Sequence, residues 1–265
     1  IIELKRAKKR YEYLTSVLTD WKGIESNSFI EKDYLDMINI LGEEINNLKS
    51  EKDIFFQNSV DYYSTWVHQI KTPISVIKIL VEDEKSDTSI IKNELFKIEQ
   101  YVDMVLQYIR LDSNTNDLLI NEYKIDDLLR QCIRKYSTLF IAKKIKLDYN
   151  TVEGTIITDQ KIFVSMVEQV LSNAIKYTKK GKIKIVFLDG LLKIIDTGIG
   201  ISKEDLPRIF EKGYTGSNGR KEQKSTGIGL YLCKKSAKLL NIPIYIESEV
   251  NKGTTFIFDL NKDWL

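Results

Sequence analysis

One imidazole stands in the whole chain. His68 is the single histidine among 265 residues, so histidine metal clusters, triads with a second His and relays between imidazoles are all excluded. Pro73 follows five residues on in WVHQIKTPI; within a helix it removes a backbone donor and bends the chain about one turn from the imidazole. Further along, Gln169, Asn173 and Lys176 stand at i, i+4 and i+7 of VEQVLSNAIKY, so two neutral amides and an ammonium share one helix face. Amide oxygens suit a divalent cation that is neutralised elsewhere and keeps several waters, and Lys176 can reach phosphate oxygens. Asp196 ends the apolar run LLKIID. It offers a carboxylate acceptor beside backbone that Gly198 and Gly200 leave open to close approach. A Gly/Ser/Lys-rich loop at about 212–226 runs into a helix at 227–240, whose N-terminus presents free N–H groups to phosphate at Gly227 and Gly229. Taken singly, each glycine is a tight turn and a flank histidine is a surface residue. The ordered set points to phosphoryl chemistry.

The elements that must position these residues fall into two parts. Residues 1–111 are almost free of glycine, whereas 118–265 hold most of the glycines and alternate strands with helices. Tyr34, Ile38, Leu41, Ile45, Leu48, Lys52 and Phe55 follow 4-3-4-3-4-3 spacing, a coiled-coil seam. A second seam runs through Val60, Tyr63, Val67, Ile70, Ile74, Ile77 and Val81, and the five-residue step from Phe55 to Val60 puts it out of register with the first. After the polar turn EDEKSD (82–87), a third seam runs through Ile91, Leu95, Ile98, Val102, Val105 and Ile109. The reading is an antiparallel helical hairpin whose apolar stripes need a second copy, giving a four-helix bundle as a dimer. DSNTND (112–117) is a linker. Beyond it we expect strands near 118–121, 145–149, 182–188, 191–196, 243–248 and 254–260, with helices at about 125–142, 159–178 and 227–240. Helices set against a mostly antiparallel sheet make an α+β sandwich.

Composition sets the outer bounds. Forty Lys+Arg against thirty-eight Asp+Glu leave a net charge of +2, which gives no argument for nucleic acid or an acidic partner. Two cysteines without a CxxC pair exclude a disulfide scaffold and a cysteine zinc site. At 43% hydrophobic and 29% charged residues the chain has enough apolar mass for a core. No internal apolar run is long enough to span a bilayer. The chain opens IIELKRAKKR, and its cluster of Lys5, Arg6, Lys8, Lys9 and Arg10 resembles the cytoplasmic flank of a membrane helix that has been cut away, the alternative being the solvated basic start of a helix.

The segment around His68 resembles the H-box of sensor histidine kinases, with Lys71, Thr72 and Pro73 at the fixed offset. VLSNAIKYT (170–178) resembles the N-box, DTGIG (196–200) the G1 box and IFEKGYTG (209–216) the F-box. STGIGL (225–230) resembles the G2 box, and GTTF (253–256) the last glycine-containing box. The boxes occur in the family's order and cover about residues 50–260. The resemblance implies three parts: a juxtamembrane coiled-coil helix (1–58), a dimerisation and histidine phosphotransfer hairpin (59–112), and an ATP-binding α/β sandwich (118–265) of the histidine kinase/gyrase/HSP90 type. His68 would take the γ-phosphoryl group of ATP, with Gln69 and Lys71 beside it, and pass it to an aspartate of a response regulator. Asn173 and Gln169 would hold Mg2+. Lys176, Tyr177, Asp196, Gly198, Gly200, Thr226, Gly227, Gly229, Leu230 and Thr254 would line the nucleotide, with Asp196 accepting the adenine amino group and Tyr177 packing on the ring.

Two positions depart from the family pattern. The residue after the phospho-acceptor is usually an acid; here it is Gln69, whose amide oxygen is expected to fix the imidazole tautomer without taking its proton. Thr215 stands where the F-box commonly has Arg, leaving Arg208, Lys212 and Arg220 as cations for the γ-phosphate. Gln169 replaces the Glu that activates water in hydrolytic relatives, so attack by water should be slow. Thr72, one turn beyond His68, implies a phosphatase activity toward the regulator. WVHQIKTPIS and EKGYTGSNGRK, with no folded sensor region in residues 1–60, look like the intramembrane-sensing kinases of bacitracin and antimicrobial-peptide detoxification modules (BceS-like). That implies a peptide-sensing ABC transporter as partner, the cytoplasmic face of the membrane as location and a role in antibiotic resistance. The competing readings are a hydrolytic ATPase of the same fold and a nucleotide-binding dimeric scaffold without chemistry.

Overall fold

The computed structural model describes residues 29–82, 87–112, 118–216 and 227–261. The basic opening segment, the centre of the EDEKSD turn, most of the DSNTND linker, Arg220 and Thr226 lie outside the described residues. The chain divides into two compact units between Thr65 and Trp66.

Helix α1 covers Phe29–Glu82 and continues through Pro73. In the first unit its heptad positions Leu41, Ile45 and Leu48 are 51%, 55% and 59% exposed. No described helix is long and apolar enough to cross a membrane.

The second unit holds the rest of α1, helix α2 (Thr88–Asp112) and the sandwich. Trp66 Nε1 donates to the Tyr101 carbonyl at 2.9 Å, and Tyr101 OH donates to Gln69 Oε1 at 3.0 Å. These two bonds fix the register of the hairpin. Pro73 is buried. On either side of it, Thr72 Oγ1 donates to the His68 carbonyl at 3.3 Å and Ser75 Oγ to the Lys71 carbonyl at 2.9 Å, bonds that bend helices locally.

The sandwich runs β1 (Ile120–Lys124), α3 (Ile125–Lys143), β2 (Lys146–Tyr149), β3 (Thr155–Asp159), α4 (Gln160–Tyr177), β4 (Lys182–Leu188), β5 (Leu191–Asp196), α5 (Gly229–Leu239), β6 (Ile244–Glu249) and β7 (Gly253–Asp259). Five strands form a sheet in the order β2-β4-β5-β7-β6, parallel between β2 and β4 and antiparallel elsewhere. β1 and β3 form a separate antiparallel pair; β3 was not among the expected strands. Alternation explains the sheet: KIKI turns Ile183 and Ile185 inward and leaves Lys182 and Lys184 outward. The core gathers Phe163, Met166 and Leu171 of α4 with Leu192 and Phe258, all fully enclosed. The fold is α+β, helices on a mixed sheet, preceded by a helical hairpin.

Candidate active site

α4 is the element on which the site is built. Asp159 caps its N-terminus by accepting from Ile162 N at 3.0 Å, and Lys143 covers its C-terminus by donating to the Ile175 and Lys176 carbonyls at 2.7 and 3.2 Å. Ile162, Met166, Val170 and Ala174 lie in the core, so Gln169, Asn173 and Lys176 take the half-buried opposite margin. Neither the Gln169 nor the Asn173 side chain makes a hydrogen bond among the described residues. Two half-buried amides without partners have capacity to spare for a ligand. Lys176 Nζ lies 5.2 Å from the centre of the Tyr177 ring, so the cation and the ring expected at opposite ends of a nucleotide touch one another here.

The other wall is the end of β5. Asp196 Oδ1 accepts from Gly198 N at 2.7 Å. Burial raises the Asp196 carboxyl above its usual range, against the Gly198 and Thr254 backbone N–H groups, which lower it. Gly198 permits a close approach: a Cβ there would lie 2.6 Å from the Tyr177 carbonyl oxygen, which ties this turn to the end of α4. Gly200 turns the chain against Glu249, whose carbonyl would stand 2.0 Å from a Cβ. The Thr254 hydroxyl is 2.9 Å from Ser248 Oγ, which also binds Ile201 N at 2.8 Å. Gly229 and Leu230 begin α5, and Gly227 lies two residues before it, where its carbonyl accepts from Gly213 N at 3.0 Å.

Of the cations expected at the γ-phosphate, the two among the described residues, Lys212 and Arg208, are engaged elsewhere. Lys212 Nζ lies 5.2 Å from the centre of the Tyr108 ring on α2 and donates to its hydroxyl at 3.4 Å. Arg208 pairs with Glu211 at 3.1 Å and stacks on Tyr214 at 4.3 Å.

At the hairpin, His68 is exposed and its side chain makes no hydrogen bond or ion pair among the described residues. Gln69 departs from expectation. One position around a helix is a rotation of about 100°, and the Gln69 amide oxygen accepts from Tyr101 OH instead of meeting the imidazole. Thr72 bonds the His68 carbonyl, and Lys71 points to solvent. Among the described residues no hydrogen bond or ion pair joins the exposed imidazole to the residues at the margin of α4 and the end of β5. Sequence reasoning missed the contacts of α2 with the sandwich: Gln107 Nε2 donates to Ser236 Oγ at 3.0 Å, Gln100 Nε2 to Tyr136 OH at 2.7 Å, and Lys135 pairs with Asp103 at 2.9 Å. Only the polar positions along α2 hint at them.

The family model for histidine kinase-, DNA gyrase B-, and HSP90-like ATPases matches residues 158–263. The chain is 33% identical over 251 residues to the sensor histidine kinase YxdK of Bacillus subtilis, covering 91% of this chain and 76% of that protein. It is 32% identical over 220 residues to the sensor protein BceS of Bacillus subtilis, covering 81% of this chain and 66% of that protein. Among solved structures the histidine kinase AdeS of Acinetobacter baumannii shares the fold, with a TM-score of 0.51 and 20% identity over 74% of this chain and 98% of that one. Fold, ordered motifs and relatives agree: the chain belongs to the sensor histidine kinases, as a BceS-like member with an ATPase domain of the histidine kinase type.

Proposed function

We propose that this chain phosphorylates itself on His68 with ATP and passes the phosphoryl group to an aspartate of a response regulator. The observation that carries this is the single imidazole, exposed five residues before Pro73, in a chain whose α4 margin leaves two amides without hydrogen bonds among the described residues. In the transfer, the unprotonated imidazole nitrogen attacks the γ-phosphorus, the bond to the bridging oxygen breaks, ADP leaves, and the proton on the opposite ring nitrogen passes to water. Asn173 and Gln169 fit Mg2+, because neutral oxygens suit an ion already neutralised by a triphosphate. Asp196, with its fixed contact to Gly198, would accept from the adenine amino group, and Gly227 with the first turn of α5 at Gly229 and Leu230 would face phosphate. Thr226 and Thr254 belong to the same proposed lining. Lys176, Lys212 and Arg220 would turn to the phosphates once nucleotide arrives.

Residues 59–112 serve in this reading as the phosphotransfer and dimerisation hairpin and 118–265 as the ATP domain. A homodimer would cover the exposed seams. The BceS-like relationship supports action at the cytoplasmic face of the membrane beside a peptide-sensing ABC transporter, in resistance to antimicrobial peptides. The phosphatase activity would draw on the Thr72 hydroxyl, which must leave the His68 carbonyl to orient water.

The test is incubation of the whole chain with γ-labelled ATP and Mg2+. Acid-labile, alkali-stable label is expected on the wild type and none on His68→Gln, with nucleotide binding retained. Label of that kind on His68→Gln would overturn the assignment, and release of inorganic phosphate without label would favour the hydrolytic reading.

A further inference from the structure

Gly229 opens α5 with ordinary helical backbone and is absent from the left-handed glycines of this chain. Nothing in its conformation requires glycine, and in a helix glycine is the poorest choice after proline. Its surroundings supply the reason. A Cβ on Gly229 would lie 2.1 Å from Gln169 Nε2, 2.3 Å from Cδ and 2.5 Å from Oε1. The Gln169 amide lies flat across the space that any side chain at 229 would fill.

We propose that Gly229 is glycine in order to seat the Gln169 amide at the first turn of α5, which makes it a positioning residue for the phosphate end of the site. Gln169 is a flexible side chain, so a methyl group at 229 would not break the fold. It would swing the amide out of its seat and away from the place where it meets Mg2+ and phosphate. Gly227 differs in kind. Its φ is +65°, and a Cβ there would lie 2.4 Å from the Gly213 carbonyl carbon and 2.6 Å from Tyr214 N, all backbone. Substitution there cannot be relieved by moving one side chain.

The inference rests on the nucleotide reading above for its activity arm. The whole chain is compared as wild type, Gln169→Ala, Gly229→Ala and the double variant. The Mg2+ concentration for half-maximal labelling should rise on the order of tenfold in each single variant, the scale seen when a group that orients a metal ligand is lost. The double variant should be no worse than either single one, because both remove the same amide from the same place. Gly229→Ala should melt no lower than the wild type, since alanine is the better helix former. Gly227→Ala, made in both backgrounds, should lose ATP binding whatever stands at 169. If the losses of Gln169→Ala and Gly229→Ala multiply in the double variant, Gly229 serves phosphate directly and the seat is wrong. A wild type that binds no ATP would instead overturn the nucleotide reading, with the unliganded melting temperatures still reporting on the seat.

Discussion

The helix that carries His68 and the sandwich that carries Asn173 dispose of their apolar side chains in opposite ways. In the first unit Leu41, Ile45 and Leu48 stand more than half exposed at regular heptad positions. In the sandwich Phe163, Phe258 and Leu192 are 0% exposed. One region closes its core within a single chain; the other carries a stripe that only a further surface can cover. The residues proposed for the chemistry all fall in the second unit, the exposed His68 on the part of α1 beyond Thr65 and Asn173 and Asp196 on a sandwich whose core needs no partner.

This contrast predicts a difference in what truncation does. Phe163→Ala should cost about 3–5 kcal/mol by leaving a cavity and should take ATP binding down with the fold, followed by denaturant titration and nucleotide binding. Leu48→Ala removes an exposed side chain and should barely shift thermal unfolding of the sandwich. Its effect should appear in self-association, as a weaker dimer in sedimentation equilibrium. Equal unfolding by both variants would erase the distinction between the two regions.

A step smaller is a change of charge in the pocket without a change of shape. In the proposed site Asn173→Asp would place a carboxylate beside the triphosphate and should slow labelling about 10–100-fold, the range for disturbed metal sites, while the melting temperature stays put. Asp196→Asn should weaken ATP binding about tenfold, the loss of one hydrogen bond of roughly 1.4 kcal/mol. Normal labelling by both variants would place the nucleotide elsewhere.

What could be read in the sequence follows the same division. Helix α4 and strands β4 and β5 were legible because apolar periodicity is strong in each; KIKI and LLKIID leave little choice. The strand Thr155–Asp159 was not, because its five residues follow the polar stretch YNTVEG and become a strand by pairing with Ile120–Lys124. Pairing of that kind is a tertiary fact. The residues of the site were legible as types and spacings. Their present partners were not: Gln69 meets Tyr101 and Lys212 meets Tyr108, both on α2, and only the packing of α2 brings those tyrosines there.

The smallest effect lies where α2 meets the sandwich. Lys135 on α3 pairs with Glu168 on α4 at 2.6 Å and with Asp103 on α2 at 2.9 Å. The Glu168 side chain is only 13% exposed and that of Asp103 57%, so the first pair outweighs the second. Burial lowers the Lys135 ammonium, but the Glu168 and Asp103 carboxylates together hold it above its usual range. Burial raises the Glu168 carboxyl, Lys135 pulls it back down, and Asp103 adds a weaker upward push. Cys132 and Tyr136 feel the same Glu168 charge, and burial raises both. Lys135→Met leaves Glu168 enclosed without its counter-ion and should cost about 1–2 kcal/mol at neutral pH, below the figure for a fully buried pair. The sign of the pH dependence follows from linkage. A carboxyl raised above its unfolded value binds a proton more readily in the folded state, so stability present at low pH is lost as pH rises through the folded value. Losing the ammonium raises that value further. The gap in melting temperature between wild type and Lys135→Met should therefore widen from pH 5 to pH 8, and Glu168→Gln in the Lys135→Met background should flatten it. A gap that stays constant with pH would mean that Lys135 acts through packing of its alkyl chain, and the contact between α2 and the sandwich would then owe nothing to charge.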